Sequence, residues 1–293
     1  MTLIAEEPIE RGSAGAPAVD AVMARAETEN FPVASRLLGR AERAHLLAIY
    51  GFARLVDELG DSLAGDRLAA LDWLEGELDL AFQGRATHPL LVRLTPTLRA
   101  CELSREPFVR LIEANRVDQR VRRYQTWEQL RGYCALSANP VGELVLGVFG
   151  CATPERIALS DSICTALQLA EHCQDVVEDL AAGRVYLPLE DLARHGATIA
   201  DLGAPHAGPA LRAVLAFEVA RARGLLDDGM PLIGLLRGRA RLGVAAFIGG
   251  GRAALEAIEG AGYDVLAGPP RASRGRRLRA LAGTLFDAGR RAR

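Results

Sequence analysis

Apolar side chains recur every three or four positions through most of this 293-residue chain, in stretches rich in Ala, Leu, Arg and Glu, and alternating Val, Ile or Thr runs are few. That period belongs to helices packed by one face, so the chain is expected to be all-α. Its length suffices for a large core, and 49% hydrophobic residues with only 5% aromatic ones fit a single, mainly helical domain. Two stretches break the pattern in the same way. Asp57-Glu58-Leu59-Gly60-Asp61 and Asp175-Val176-Val177-Glu178-Asp179 each set two aspartates four residues apart within otherwise apolar helical sequence.

Residues i and i+4 lie one turn apart on one face of a helix, so each pair presents two carboxylates side by side. Two such pairs brought face to face would repel unless a cation sat between them, and oxygen ligands favour Mg²⁺, Mn²⁺ or Ca²⁺. Mg²⁺ commonly takes one or two protein carboxylates and completes its shell with water and substrate phosphate, which makes a Mg²⁺-diphosphate site plausible. An acidic pair alone also fits an ordinary solvated helix face, so the neighbours matter. Tyr50, Arg54, Asp57 and Asp61 share one stripe, and Gln168, Glu171, Asp175 and Asp179 share another, both flanked by Leu, Ile, Val, Ala or Cys. Acids in such surroundings need partners. After the second pair the helix is expected to stop at Gly183, and Arg184-Val185-Tyr186-Leu187-Pro188 would bring a guanidinium and a phenol beside the carboxylates.

Other chemistries find little support. All 35 basic residues are Arg, which excludes a lysine Schiff base and a Walker-type phosphate loop. The five cysteines (Cys101, Cys134, Cys151, Cys164 and Cys173) lack metal-type spacing and read as reduced core residues of a cytoplasmic protein. The five histidines are scattered, and His172, the one near an acidic stripe, reads as structural. Gly249-Gly250-Gly251 follows no strand, so it is expected to serve close helix packing or a kink rather than a dinucleotide.

The stretch Gln168 to Pro188 resembles the second signature of the squalene/phytoene synthase family, and Tyr50 to Asp61 its first. Gly132-Tyr133-Cys134-Ala135-Leu136-Ser137-Ala138-Asn139-Pro140-Val141-Gly142-Glu143 is similar to the segment carrying that family's central tyrosine. The resemblance spans roughly residues 28 to 266. Within the family, Asn30-Phe31-Pro32-Val33-Ala34-Ser35, Ser137 to Gly142 and Gln174 look like the hydroxysqualene synthase branch, HpnC; other members usually carry Arg at the position of Gln174. The resemblance implies an isoprenoid-synthase-type helical bundle around a central apolar cavity. It implies that presqualene diphosphate and water give hydroxysqualene and diphosphate, with Mg²⁺ (or Mn²⁺) as cofactor and no NADPH. The alternative is head-to-head condensation of two prenyl diphosphates to squalene or phytoene, and a more distant one is a non-catalytic helical binding protein. By the same resemblance Asp57, Asp61, Asp175 and Asp179 hold metal. Glu171 joins them as a further metal ligand where the family commonly has Asn, which makes the site more acidic. Arg54, Arg184, Tyr50 and Tyr186 would line the diphosphate end, and Asn30, Asn139 and Gln168 would orient phosphate or water. Tyr133 would face the carbocation in the cavity. Asp118 and Gln119 are further candidates, and Leu144, Val148, Phe149, Leu167 and Phe247 could supply the tunnel wall.

Residues 1–17 lack a signal-peptide pattern and are expected to be a flexible tail, leaving 18–268 as the helical domain. Residues 269–293 hold eight Arg against Asp287, a local +7 that leaves −9 for the remainder of a chain of net charge −2. Leu278, Leu281, Leu285 and Phe286 would give this basic tail an apolar stripe. It could then lie peripherally on an anionic membrane, or it could be solvated or packed on the body. No apolar run reaches the ~18–20 residues of a spanning helix. The expected partner is a prenyl diphosphate and not nucleic acid; the protein is expected in the cytoplasm, with any membrane contact on its inner face.

Overall fold

The computed structural model describes residues 39–291. Asn30 and the proposed tail of residues 1–17 lie outside that range. Among the described residues there are helices and no strand, with a single isolated bridge pairing Arg123 and Val185. The chain is the all-α domain its periodicity predicts.

Helices α1 (Arg40–Asp57), α2 (Arg67–Gln83), α3 (Pro89–Ala100) and α4 (Glu106–Asp118) build a first core around Phe52, Leu74, Leu91 and Phe108. Phe52 and Phe108 meet edge to face at 5.1 Å. A second core gathers α5 (Trp127–Ser137), α7 (Pro154–Gln174), α10 (Pro209–Gly229) and α12 (Gly238–Gly260), with Leu130, Leu169, Leu215 and Ile248 fully buried. Helix α6 (Asn139–Val148) belongs to both, because Leu144 faces the first core and Leu146 the second. Short helices α8 (Val176–Ala181), α9 (Leu189–Arg194) and α11 (Pro231–Leu235) connect these, and α13 (Arg274–Arg291) closes the chain.

Local chemistry sets many of the boundaries. Side chains of Asp66, Thr126 and Thr153 accept from the backbone N–H groups of Ala69, Gln129 and Arg156, capping α2, α5 and α7. Pro89, Pro154 and Pro209 occupy first turns, where no N–H is required. Gly84 ends α2 at φ +77°, in the left-handed region that glycine enters without a Cβ penalty.

The Gly249-Gly250-Gly251 run serves packing. A Cβ on Gly249 would lie 2.9 Å from the Leu281 backbone, and one on Gly251 2.5 Å from Leu167 Cδ2. Helix α13 therefore lies close against α12, with Thr284 and Ala288 buried. This divides the anticipated apolar stripe: Leu281 and Leu285 pack on the core, whereas Leu278 and Phe286 point outward, 67% and 65% exposed. The expected stripe treated four positions as one face; docking on the glycine-bearing side of α12 selects two of them.

Candidate active site

Between the two cores lies a cavity of about 770 Å³. Val145, Leu146, Ile163, Leu232, Val244 and Phe247 make its apolar interior, and Arg54, Asp57, Glu171, Asp175 and Glu178 bring charge to its lining. Tyr50 and Gln168 also line it. The first acidic motif enters from α1 and the second from the end of α7, so the cavity joins two segments more than a hundred residues apart. Of the tunnel residues anticipated, Leu167 and Phe247 are in the wall. Leu144 is instead committed to the first core, and Val148 and Phe149 pack against the cores.

Neither acidic pair sits in an uninterrupted α-helix. Helix α1 passes into a widened turn over Glu58–Ser62, closed by the Leu63 N–H on the Glu58 carbonyl at 3.1 Å, a five-residue span. Gly60 allows it, because a Cβ there would collide with Asn115 Oδ1. Gln119 Nε2 donates to the Gly60 carbonyl at 3.0 Å, linking the widened turn to α4. Asp57 thus reaches the cavity, while Asp61 turns to Arg184, whose Nη1 lies 2.7 Å from its Oδ1.

The second pair straddles a break. Helix α7 ends at Gln174, Asp175 adopts φ −99° and ψ 18°, and α8 begins at Val176. The four-residue spacing survives through the Asp179 N–H bond to the Asp175 carbonyl, 2.8 Å. Gly183 at φ +76° then reverses the chain, with the Arg184 N–H on the Asp179 carbonyl at 2.8 Å. The Val185 N–H bonds the Arg122 carbonyl at 2.9 Å, fixing the path that aims Arg184 and Tyr186 inward.

Beneath Arg184 lies a buried polar knot. Tyr133 Oη donates to Asp118 Oδ2 at 2.6 Å, and Tyr186 Oη donates to Asp118 Oδ1 at 3.0 Å. Tyr186 is stacked on His172, centroids 4.0 Å apart and 11° from parallel, and faces Tyr124 on its other side at 5.8 Å. Tyr133 is therefore tied to this knot, and it is not among the residues lining the cavity. Burial raises the Asp118 pKa, opposed by the two phenols and by Arg184. Burial also pushes His172 down to about 3, with Arg184 adding to the effect, so the imidazole is neutral. Its Nε2 is 3.4 Å from Gln168 Nε2.

The remaining candidates are placed as follows. Arg54 Nη1 pairs with Asp57 Oδ2 at 3.4 Å on α1. Asn139 Oδ1 accepts from Thr165 Oγ1 at 3.0 Å, stitching α6 to α7 away from the cavity lining. Glu171 lies half-buried in the wall.

No group of three or more His, Cys, Asp or Glu side chains among the described residues is gathered into metal-binding geometry. The donor set nonetheless suits a hard cation shared with a ligand. Burial first, and Asp175 second, push the Asp179 carboxyl up to about 7, and burial with Glu178 raises Asp175 against the pull of Arg271. These are carboxylates short of positive charge, on all-oxygen donors, as Mg²⁺ with phosphate oxygens would require.

Asp118, a further candidate from the sequence, shows its role only when two tyrosines 15 and 68 residues away converge on it. Pro269 and Arg271 also line the cavity although they belong to the basic C-terminal stretch.

Residues 24–279 match the family model described as squalene/phytoene synthase. The chain belongs to the squalene/phytoene synthase family. It is an enzyme of the prenyl diphosphate type, similar to hydroxysqualene synthases. The hydroxysqualene synthase of Rhodopseudomonas palustris is 39% identical over 209 residues, covering 70% of each chain. The crystal structure of squalene synthase HpnC from Alicyclobacillus acidocaldarius superposes with a TM-score of 0.78 at 49% identity, over 84% of this chain and 93% of that one. A dehydrosqualene synthase in complex with ligand gives a TM-score of 0.81 at 21% identity, over 92% and 95% of the two chains, which speaks to the fold.

Proposed function

We propose that this enzyme converts presqualene diphosphate and water to hydroxysqualene and diphosphate, with Mg²⁺ and without a hydride donor. The observation that carries the reading is the cavity itself: an apolar chamber of about 770 Å³ whose lining also gathers an arginine and carboxylates from two motifs. A thirty-carbon hydrocarbon needs the former and a diphosphate the latter. The likeness to hydroxysqualene synthases supports the choice of product.

In this reading Asp57, Asp61, Asp175 and Asp179 hold Mg²⁺, with Glu171 as a further donor. Bound there, the metal would neutralise diphosphate charge as it develops on the leaving group. Arg54 and Arg184 orient the phosphate oxygens, and Arg184 is itself held by Asp61. Tyr50 and Gln168 border the chamber near the acids, and Tyr186 stands behind Arg184. The C–O bond breaks with both electrons leaving on diphosphate. The apolar wall excludes bulk water and confines the resulting carbocation while it rearranges. One water oxygen then bonds to the cationic carbon and loses a proton, which the released diphosphate can take. The Tyr133 and Tyr186 rings, 5.4 Å apart, belong to the knot around Asp118 and are not in the chamber lining, so their part in this reading is to hold Asp118 beneath Arg184.

The exposed Leu278 on arginine-rich α13 fits a peripheral contact with an anionic bilayer, through which an oily substrate and product would pass. No helix among the described residues is long and apolar enough to cross a membrane.

The test is incubation of the purified protein with presqualene diphosphate and Mg²⁺, without NADPH, and mass spectrometry of the lipid product against a no-enzyme control. Enzyme-dependent hydroxysqualene is expected. No product there, together with squalene or phytoene precursors formed from farnesyl or geranylgeranyl diphosphate, would move the protein to the condensing members of the family.

A further inference from the structure

The segment between α12 and α13 reaches back to the acidic end of the cavity. It is anchored at its start by Asp264, which accepts from Arg212 Nη2 at 2.9 Å and from the Ala207 N–H at 2.9 Å, and by the fully buried Val265. Gly268 then turns at φ +137°, a conformation that side-chain-bearing residues rarely adopt. Pro269 and Pro270 follow, two residues of fixed φ, so the strap leaves the turn with little freedom. At its far end α13 is locked to α12 by the Gly249 contact.

Two contacts hold the strap to the site. Gln174, buried at the last position of α7 and next to Asp175, donates from Nε2 to the Pro270 carbonyl. Pro269 and Arg271 line the cavity together with Asp57, Glu171, Asp175 and Glu178. Arg54 and Arg184 are each paired with an aspartate of the site. Arg271, by contrast, makes no hydrogen bond or ion pair with any described residue, although it is close enough to oppose the rise in the Asp175 pKa. A guanidinium offers five donors in a rigid fork suited to phosphate oxygens, and here it stands beside carboxylates without being taken up by them.

We propose that Arg271 is a diphosphate-contacting residue of this site and that Gln174 is its positioning residue, clasping the strap so that Arg271 faces the cavity. The inference rests on the diphosphate reading above and extends it to a segment outside both acidic motifs. It also gives Gln174 a task, in that its amide addresses the C-terminal strap rather than the substrate.

The experiment is titration of the full-length protein with inorganic pyrophosphate at fixed Mg²⁺ by calorimetry, which reads binding without turnover. Arg271→Ala is expected to weaken pyrophosphate about tenfold or more, with Arg271→Lys recovering part of the loss. Gln174→Ala is expected to weaken it about threefold to tenfold, and Gln174→Ala with Arg271→Ala to bind no more weakly than Arg271→Ala alone, because the clasp acts only through Arg271. Arg279→Ala, exposed on α13, should bind as the wild type does. Wild-type affinity in Arg271→Ala would overturn the inference while leaving the diphosphate reading intact, and Arg271 is exposed, so this variant does not endanger the fold. Additive losses in the double variant would remove the positioning role of Gln174. A wild-type protein that binds no pyrophosphate with Mg²⁺ would overturn the diphosphate reading and this inference with it.

Discussion

Removing the Asp118 carboxylate should loosen the floor of the site by an amount the structure allows to be worked out. Asp118 is 5% exposed and accepts from two phenols that are themselves 8% (Tyr133) and 6% (Tyr186) exposed. Asp118→Ala takes the carboxylate from both hydroxyls, but Tyr133 and Tyr186 are close enough to bond each other, so one buried donor rather than two is left without an acceptor. A buried donor left unsatisfied costs ~1–3 kcal/mol, and with part returned because a buried carboxylate no longer has to be desolvated, a net destabilisation of about 1–2 kcal/mol is expected. Urea unfolding followed by helical circular dichroism measures it. The decisive comparison is a double-mutant cycle with Tyr133→Phe. Alone, that change should cost about 1 kcal/mol; in the Asp118→Ala background it should be near neutral, since the number of buried hydroxyls without an acceptor does not change. Losses that add to within about 0.5 kcal/mol would refute the reasoning, because they would mean that the Tyr133–Asp118 bond contributes nothing as a pair.

Other consequences can be tested independently. Gly60→Ala forces a Cβ onto Asn115 in the widened turn; it should cost about 1–3 kcal/mol in urea unfolding and weaken Mg²⁺-pyrophosphate binding, and an unchanged protein would show that the turn tolerates a side chain. Val145→Trp fills part of the cavity wall and should lower turnover of a thirty-carbon substrate at least about tenfold, leaving pyrophosphate affinity as it was; unimpaired turnover would place the hydrocarbon elsewhere. Glu218, fully buried, shares Arg221 with Asp191, which also pairs with Arg194. Burial pushes its carboxyl up to about 8, against the pull of Arg221 and with the aid of Asp191. The folded state then binds the extra proton between the ordinary 4.5 and about 8, so this group's contribution to stability is full below that window and is lost as pH rises through it. Thermal unfolding midpoints should therefore fall from pH 6 to pH 9 in the wild type and fall less in Glu218→Gln; parallel profiles would show that Glu218 does not titrate there.

Fold class was legible because it depends on a local quantity. The three-to-four spacing of apolar residues, the capping Asp66, Thr126 and Thr153, and the prolines at first turns act within a few residues of themselves, and sequence displays such effects directly. The two acidic motifs were legible for the same reason, as was the use of Gly249 and Gly251 for close packing. Their regular helical geometry was not. The five-residue turn at Glu58–Ser62 depends on Asn115 and Gln119 of α4, and the break at Asp175 separates two helices that sequence had read as one.

What the tertiary structure alone decided is which polar groups meet. Asp57 and Asp175 line one cavity, Asp61 reaches Arg184 across 123 positions, and Asp118 gathers Tyr133 and Tyr186 into a layer beneath them. The apolar wall likewise took Leu167 and Phe247 and gave Leu144 to a core. The sequence by itself determined the helices, the family-like motifs and the acidic pairs on which the proposed cation and diphosphate site rests. It could not place Arg271, because a charge count treats the basic C-terminal stretch as one body. Only the turn at Gly268, the rigid prolines and the clasp from Gln174 bring that one arginine to the cavity, and such contacts between distant segments follow from packing the whole chain rather than from any local period.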